Sequence, residues 1–254
     1  MKLKKYIFIL LVLFVNLIVF NSHTVYGADE TTKIVLSDEM DSNIVNIGAA
    51  GTYEISGSSK NAQISINASD TDEIIIILNG ADITYETAPA IIVYNAKDEQ
   101  IEGQANVKFI LADGSENKVT GGSTSDYDGA ISSDISISFE GNGKLIIDSS
   151  NEGIETKRHV TFNSGNYEIY SNDDAINGSE DNISCITING GTILASIKDT
   201  AVEGDGIDSN GSLYINGGTV YAFASEKSED AGVDATLRCV YKWWNTNCNR
   251  QYAK

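Results

Sequence analysis

The stretch INGGTILAS, Ile188–Ser196, returns 27 residues later as INGGTVYAF, Ile215–Phe223. Two looser versions precede it, FNSGNYEIY from Phe162 and FEGNGKLII from Phe139. Counted at Gly143, Gly165, Gly191 and Gly218, the steps are 22, 26 and 27 residues. Between these phrases a second one recurs: GAIS from Gly129, GIET from Gly153, AING from Ala175, GIDS from Gly206 and GVDA from Gly232. One pair of phrases spans 22–31 residues. That is the length of one turn of a solenoid built from about three short strands.

The columns fit this reading. Ile131, Ile154, Ile176, Ile207 and Val233 align as one inward aliphatic ladder. Leu145, Tyr167, Ile193 and Val220 form another, with Ile147, Ile169, Ala195 and Ala222 two positions on. Side chains two apart along a strand share a face. Each Asn-Gly pair offers the positive φ that a sharp corner needs. A single coil cannot bury its apolar column; stacking does. The earlier segments GTYEISG, AQISIN, EIIIILNGADI, AIIVYNA and VKFILADGSENKV read as the first coils, from Lys33 to about Val119. Leucine-rich and propeller repeats lack their signatures here, and an antiparallel sandwich is the remaining rival. The expected fold is all-β, a right-handed parallel β-helix over 28–235, truncated at its C-terminal end.

The chain opens MKLKKYIFILLVLFVNLIVFNSHTVYGADE. Lys2, Lys4 and Lys5 precede a 15-residue apolar run, Tyr6–Phe20, and Val25-Tyr26-Gly27 offers small residues for cleavage. That is the pattern of a secretory signal peptide over 1–27. An uncleaved anchor is the alternative, but the run is short of the roughly 20 residues a spanning helix needs. The expected location is therefore secreted, extracellular or at the cell surface, with no membrane association after cleavage. Losing the three lysines moves the formal net charge from −19 to −22. Such a surface repels nucleic acid and anionic lipid and suits divalent cations. Cys185, Cys239 and Cys248 show no pairing pattern.

Acidic residues flank the inward isoleucines. Two positions before stand Glu152, Asp174 and Asp205; one position after stand Glu155, Asn177, Asp208 and Asp234. Asp128, Asp173 and Asp230 lie one step further upstream. Stacking sets such carboxylates about 4.8 Å apart. Two unit charges there repel by roughly 1 kcal/mol in water and about 3–4 kcal/mol at an effective dielectric of 20. A ladder gathers like charges only at a cost unless a counter-ion joins them. Clustered hard oxygens suit Ca²⁺, which takes six to eight of them. The expected metal residues are Glu152, Glu155, Asp173, Asp174, Asn177, Asp205, Asp208, Asp230 and Asp234. The bland alternative is a solvated acidic face.

Other chemistry is thin. His159 is the only histidine after the signal peptide, beside Lys157 and Arg158, which argues against a histidine-based zinc site or a Ser-His-Asp triad. Cys185 reads as a small packing residue. Asn67-Ala-Ser is a glycosylation sequon by pattern only. Outward positions carry Tyr170, Tyr221 and Phe223, whose rings can stack on the apolar faces of sugars. Cover by a neighbouring segment is the equal alternative.

The ordered set GTYEISGSSKNAQISINA, IIIILNGADITYETAPAIIVYNA, VKFILADGSENKVTGG, GAISSD, GIETK, DDAING and INGGT resembles a family of secreted bacterial right-handed β-helix proteins that bind acidic sugars and cellulose. The resemblance covers residues 33 to about 235. It implies a parallel β-helix shaped like a pectate lyase, bound calcium, no catalysis, and binding of polygalacturonate-type polymers. NEGIE, NDDAIN and GDGID match the family's acidic segments. The expected partner is thus an acidic or cellulosic polysaccharide, bound by a monomer. Two rivals stand beside it. A polysaccharide lyase needs a base for the proton α to the uronate carboxylate, and only Lys157 and Arg158 lie near the acidic columns. A surface adhesin or structural solenoid needs no sugar site.

The chain departs from the family at its close, YKWWNTNCNRQYAK, Tyr241–Lys254. Lys-Trp-Trp-Asn-Thr is encoded AAR-TGG-TGG-AAY-ACN. One base forward, this reads Asn or Ser, Gly, Gly, then Ile or Thr, and Val240-Tyr241 admits Tyr-Ile. The hidden phrase can be YINGGT, identical to Tyr214–Thr219. Residues 236–254 are therefore expected to be a frameshifted coil, loosely draped, leaving the helix open near Ala235. The alternative is a true cap carrying a Cys239–Cys248 disulfide.

Overall fold

The computed structural model describes residues 30–40, 43–68, 72–95, 107–242 and 246–248. The signal-peptide segment lies outside the described residues. All regular structure among the described residues is strand, and all strand pairs are parallel. No helix in them is long and apolar enough to cross a membrane.

Each coil passes through three faces. One coil runs Ile137–Gly141, Lys144–Ser149 and Glu152–Thr156. The next runs His159–Phe162, Asn166–Ser171 and Ile176–Gly178. The next runs Cys185–Ile188, Thr192–Ile197 and Ile207–Ser209. The first and second faces form one 15-stranded sheet, and the third a seven-stranded sheet. The long strand Ile74–Tyr85 joins the first two: its start pairs with Val107–Leu111 and its end with Lys118–Gly121. The molecule is a parallel β-helix, as the repeat predicts.

The registers are those read from the sequence. Ile131, Ile154, Ile176 and Ile207 are paired in sequence up the third face and fully buried. On the second face Leu145, Tyr167, Ile193 and Val220 stack inward. On the first face Phe109, Phe139 and Phe162 stack with centroids 4.9 and 5.3 Å apart, and the Tyr167 ring meets Phe162 edge-on. Each such buried side chain contributes roughly 1.5–3 kcal/mol, but only with a coil above or below it. The corner glycines Gly165, Gly191 and Gly218 have φ of 104°, 87° and 85°. In the Asn-Gly-Gly corners the second glycine carries the positive φ, and in the coil from Phe139 it is Gly141.

The end of the helix corrects one expectation. The ladder does not stop at Ala235. Arg238–Tyr241 pairs with Ser212–Ile215, and Thr246–Cys248 with Val220–Ala222. An open strand edge accepts any extended backbone, whatever its side chains. Burial is more selective. Cys239 and Tyr241 sit in the registers of Leu213 and Ile215 but are exposed. Trp243, Trp244, the Cys248 side chain, and with them the disulfide alternative, lie outside the described residues.

Candidate functional site

The acidic residues all map to the third face and the corner leading into it. Glu155, Asn177 and Asp208 are cross-strand neighbours, and the Ile207–Val233 bridge brings Asp234 above Asp208. Along this ladder the site divides into two parts.

In the lower part the carboxylates are internal. Glu155 is 4% exposed. Its Oε2 accepts the backbone N–H of Asp128 and the hydroxyl of Ser132, both at 3.0 Å, and its Oε1 accepts from Ser179 Oγ at 3.0 Å. It ties three coils together and has little left for a metal. Glu152 is 7% exposed, and its Oε1 accepts from Asn177 Nδ2 at 2.7 Å. Glu152 Oε2 and Asn177 Oδ1 are buried with no hydrogen-bond partner. Burial, then the neighbouring Glu155, Asp174 and Asp128, push the Glu152 pKa up to about 9 against that single hydrogen bond. Two orphaned oxygens want a proton or a cation.

In the upper part the carboxylates are open. Carboxylate oxygens of Asp205, Asp208 and Asp234 lie within 4.8 Å of one another. Asp205 and Asp208 are half-buried and Asp234 is exposed. Asp174 Oδ1 accepts the Asp205 N–H at 2.7 Å, and Asp205 Oδ1 accepts the Ala231 N–H. Each carboxylate thus fastens to the backbone one coil up. Burial, with repulsion from Asp173, Asp208 and Asp205, raises Asp174 to about 8. Burial, with Asp208, Asp230 and Asp234, raises Asp205 to about 7. Asp208 is raised by burial and by Asp234. Asp173 is raised by burial and by Glu203 and Asp230. Asp230 is engaged otherwise, accepting from Gly204 N at 2.7 Å and Ser228 Oγ at 2.6 Å. A hollow of about 300 Å³ beside Asp234, lined also by Val233, Cys239 and Tyr241, leaves the cluster accessible.

The donor set fits a hard divalent cation. It is oxygen only and rich in formal charge, the composition that suits such an ion. Asn177, one strand below Asp208, holds an orphaned oxygen beside it.

The aromatic residues lie elsewhere. Tyr221 and Phe223 project from the second face, 38% and 40% exposed. Tyr170 shares the Phe223 column two coils below, with Ser196 between, and is half-buried. A groove of about 640 Å³ runs past Phe223, lined by Lys198, Asp199, Glu226 and Lys227. The corner between the second and third faces separates these rings from the acidic column.

Lys157 is not placed as a base. Its Nζ is 2.8 Å from Asp134 Oδ1 and 4.7 Å from the Tyr127 ring centroid. Burial disfavours its charge, but the Asp134 hydrogen bond and surrounding carboxylates outweigh that, and its pKa is raised. Sequence reasoning missed this pair of partners, because Tyr127 comes from an irregular segment outside the repeat.

Comparison with known proteins agrees with this architecture. A family model for carbohydrate-binding domain-containing proteins matches residues 41–243. A carbohydrate-binding domain-containing protein of Acetivibrio thermocellus is 27% identical over 161 residues, covering 60% of this chain and 52% of that protein. The chain thus spans about half the length of the curated relative it matches. The structure of a polysaccharide lyase-like protein from C. thermocellum, a gadolinium derivative, superposes with a TM-score of 0.64 at 23% identity, covering 84% of this chain and 96% of that one. That likeness concerns the fold. With a family match over most of its length, the chain belongs to the carbohydrate-binding domain-containing family.

Proposed function

We propose that the protein is a secreted, monomeric, non-catalytic module that binds acidic polysaccharide of the polygalacturonate type through Ca²⁺ on the third face. The observation that carries this is the open group of Asp205, Asp208 and Asp234, within 4.8 Å of one another. A chain at −19 repels a polyuronate. Calcium held by these three residues, with Asn177 at hand, supplies the positive charge that a sugar carboxylate needs. Gadolinium, the ion in the lyase-like neighbour, is another hard cation suited to oxygen donors. The second reading, a lyase, is favoured only by that neighbour's description. Against it stands Lys157, held protonated by Asp134.

Calcium binding to the native state alone contributes RT ln(1 + [L]/Kd), about 2.7 kcal/mol at a hundredfold excess over Kd. Chelation of a calcium-loaded sample is therefore expected to lower the melting temperature. The double variant Asp205→Asn, Asp208→Asn is expected to lose that shift, and to lose polygalacturonate binding while still folding. An unchanged melting curve on chelation overturns the calcium reading. Full-strength binding by the double variant shows the acidic column to be solvated surface only.

A further inference from the structure

On the third face a second outward column stands beside the acidic one. Tyr94, Asp134, Lys157, Ser179 and Asn210 occupy it, each linked to the coil below by the parallel ladder. Its upper part is uncharged: Asn210 Nδ2 donates to Ser179 O at 3.0 Å. At its lower end Tyr127 lies across it. The Tyr127 ring meets Tyr94 edge-on, with centroids 5.7 Å apart, and its hydroxyl donates to Asp134 Oδ2 at 3.0 Å. Lys157 closes the cluster over the Tyr127 ring and neutralises Asp134. Arg158 follows, half-buried, its Nη1 bonded to the Lys157 carbonyl at 3.3 Å. Among the described residues its guanidinium has no carboxylate partner. Asp126 and Asp128 flank Tyr127, so the local field is not positive; what the corner offers is a fixed ring and directed donors.

We infer that this corner is a second glycan subsite, and that the polymer lies along the helix axis on the third face, from the cation cluster down to Tyr127 and Arg158. A pyranose ring stacks on the half-exposed tyrosines, and a uronate carboxylate takes the free donors of Arg158, whose planar fork suits it. Between the two subsites the chain passes over Ser179 and Asn210, which carry no charge to repel it. Lys157 and Asn210 are two strand spacings apart, roughly 10 Å, and Asp234 lies one coil beyond Asp208. Only an oligomer of several sugar residues reaches both ends. Two linked weak contacts then multiply, and avidity rises sharply once the ligand spans them.

This inference rests on the calcium-dependent reading above, and the test separates the two. The probes are di-, tetra- and octagalacturonate, titrated calorimetrically in calcium against the full chain, Arg158→Glu and Tyr127→Leu. For the unaltered chain, affinity is expected to rise by about tenfold or more from the dimer to the octamer. In both variants that rise should largely vanish, while dimer binding and the calcium-induced melting shift persist. If Tyr127→Leu fails to fold, Arg158→Glu alone carries the test, since its charge lies at the surface. Octamer binding by the variants as tight as by the unaltered chain overturns the inference and leaves the calcium reading standing, as does an unaltered chain with no length dependence. No binding of any oligomer by the unaltered chain overturns both.

Discussion

Glu155 and Asp208 occupy the same outward column of the same face, two coils apart, and their roles are opposite. Glu155 accepts three hydrogen bonds and is almost wholly buried. Asp208 faces two other carboxylates and is half-buried. What differs is the neighbour. The coil below Glu155 supplies Ser132 in the adjoining register, and the coil above supplies Asn177 and, two residues on, Ser179. Above Asp208 comes Asp234. A repeat fixes where a carboxylate stands, and the residues one coil away decide whether it is structure or ligand.

The sharpest way to break this contrast is at Glu155. Glu155→Ala removes the carboxylate that accepts from the Asp128 N–H and from two hydroxyls, leaving Ser132 and Ser179 only their contacts to the Gly129 and Thr156 carbonyls. Losing three hydrogen bonds to a charged acceptor costs on the order of 3 kcal/mol together. Urea denaturation without calcium is expected to show that loss, with Glu155→Gln losing less. Asp208→Asn, measured the same way, should change little or rise slightly, because it removes repulsion. Equal losses at the two positions would erase the distinction.

The proton linkage gives the next largest effect. In the metal-free protein the carboxyls raised furthest are Glu152, at about 9, Asp174, at about 8, and Asp205, at about 7. In the unfolded chain such carboxyls titrate near about 4. Between those values the folded state binds more protons than the unfolded one. Stability without metal must therefore fall as pH rises from about 4 through about 9. Calcium competes with those protons and should flatten the decline, with its own affinity rising over the same range. Melting curves from pH 5 to 9, with calcium and with chelator, check both. A metal-free stability that increases with pH would contradict the raised values.

Much of this was legible in the sequence. The isoleucine ladder, the corner glycines and the acidic registers follow from repeat arithmetic, because a parallel stack maps equal phase onto equal position. What was not legible depended on residues outside the repeat. Ser132 and Ser179 carry no sign of acting on Glu155. Tyr127 belongs to an irregular segment, and its bond to Asp134 spans the strand Gly129–Ser133 from one corner of the coil to the next. The Arg238–Tyr241 strand has no repeat phrase at all, yet the ladder takes it up, because backbone pairing is indifferent to side chains. Its register sets Val240 and Tyr241 opposite Tyr214 and Ile215, the places where the shifted reading frame admits Tyr-Ile.

The smallest expected effect concerns the other face. Tyr221 and Phe223 are both substantially exposed, and each loses little packing on truncation. Tyr221→Ala with Phe223→Ala should therefore shift stability by less than about 1 kcal/mol, as exposed substitutions do. Its value lies in dividing the two faces as glycan surfaces. The groove past Phe223 carries Lys198 and Lys227 against Asp199 and Glu226, a balanced set unlike the acidic column. A ligand drawn there would be held by ring stacking, independent of calcium. The double variant should thus keep its calcium-induced melting shift and its calcium-dependent binding of polygalacturonate. Any loss should fall on binding that survives chelation, measured by pull-down on insoluble uncharged polysaccharide. If instead polygalacturonate binding falls as far as in the Asp205, Asp208 double variant, the polymer crosses the corner. The two faces would then act as one surface.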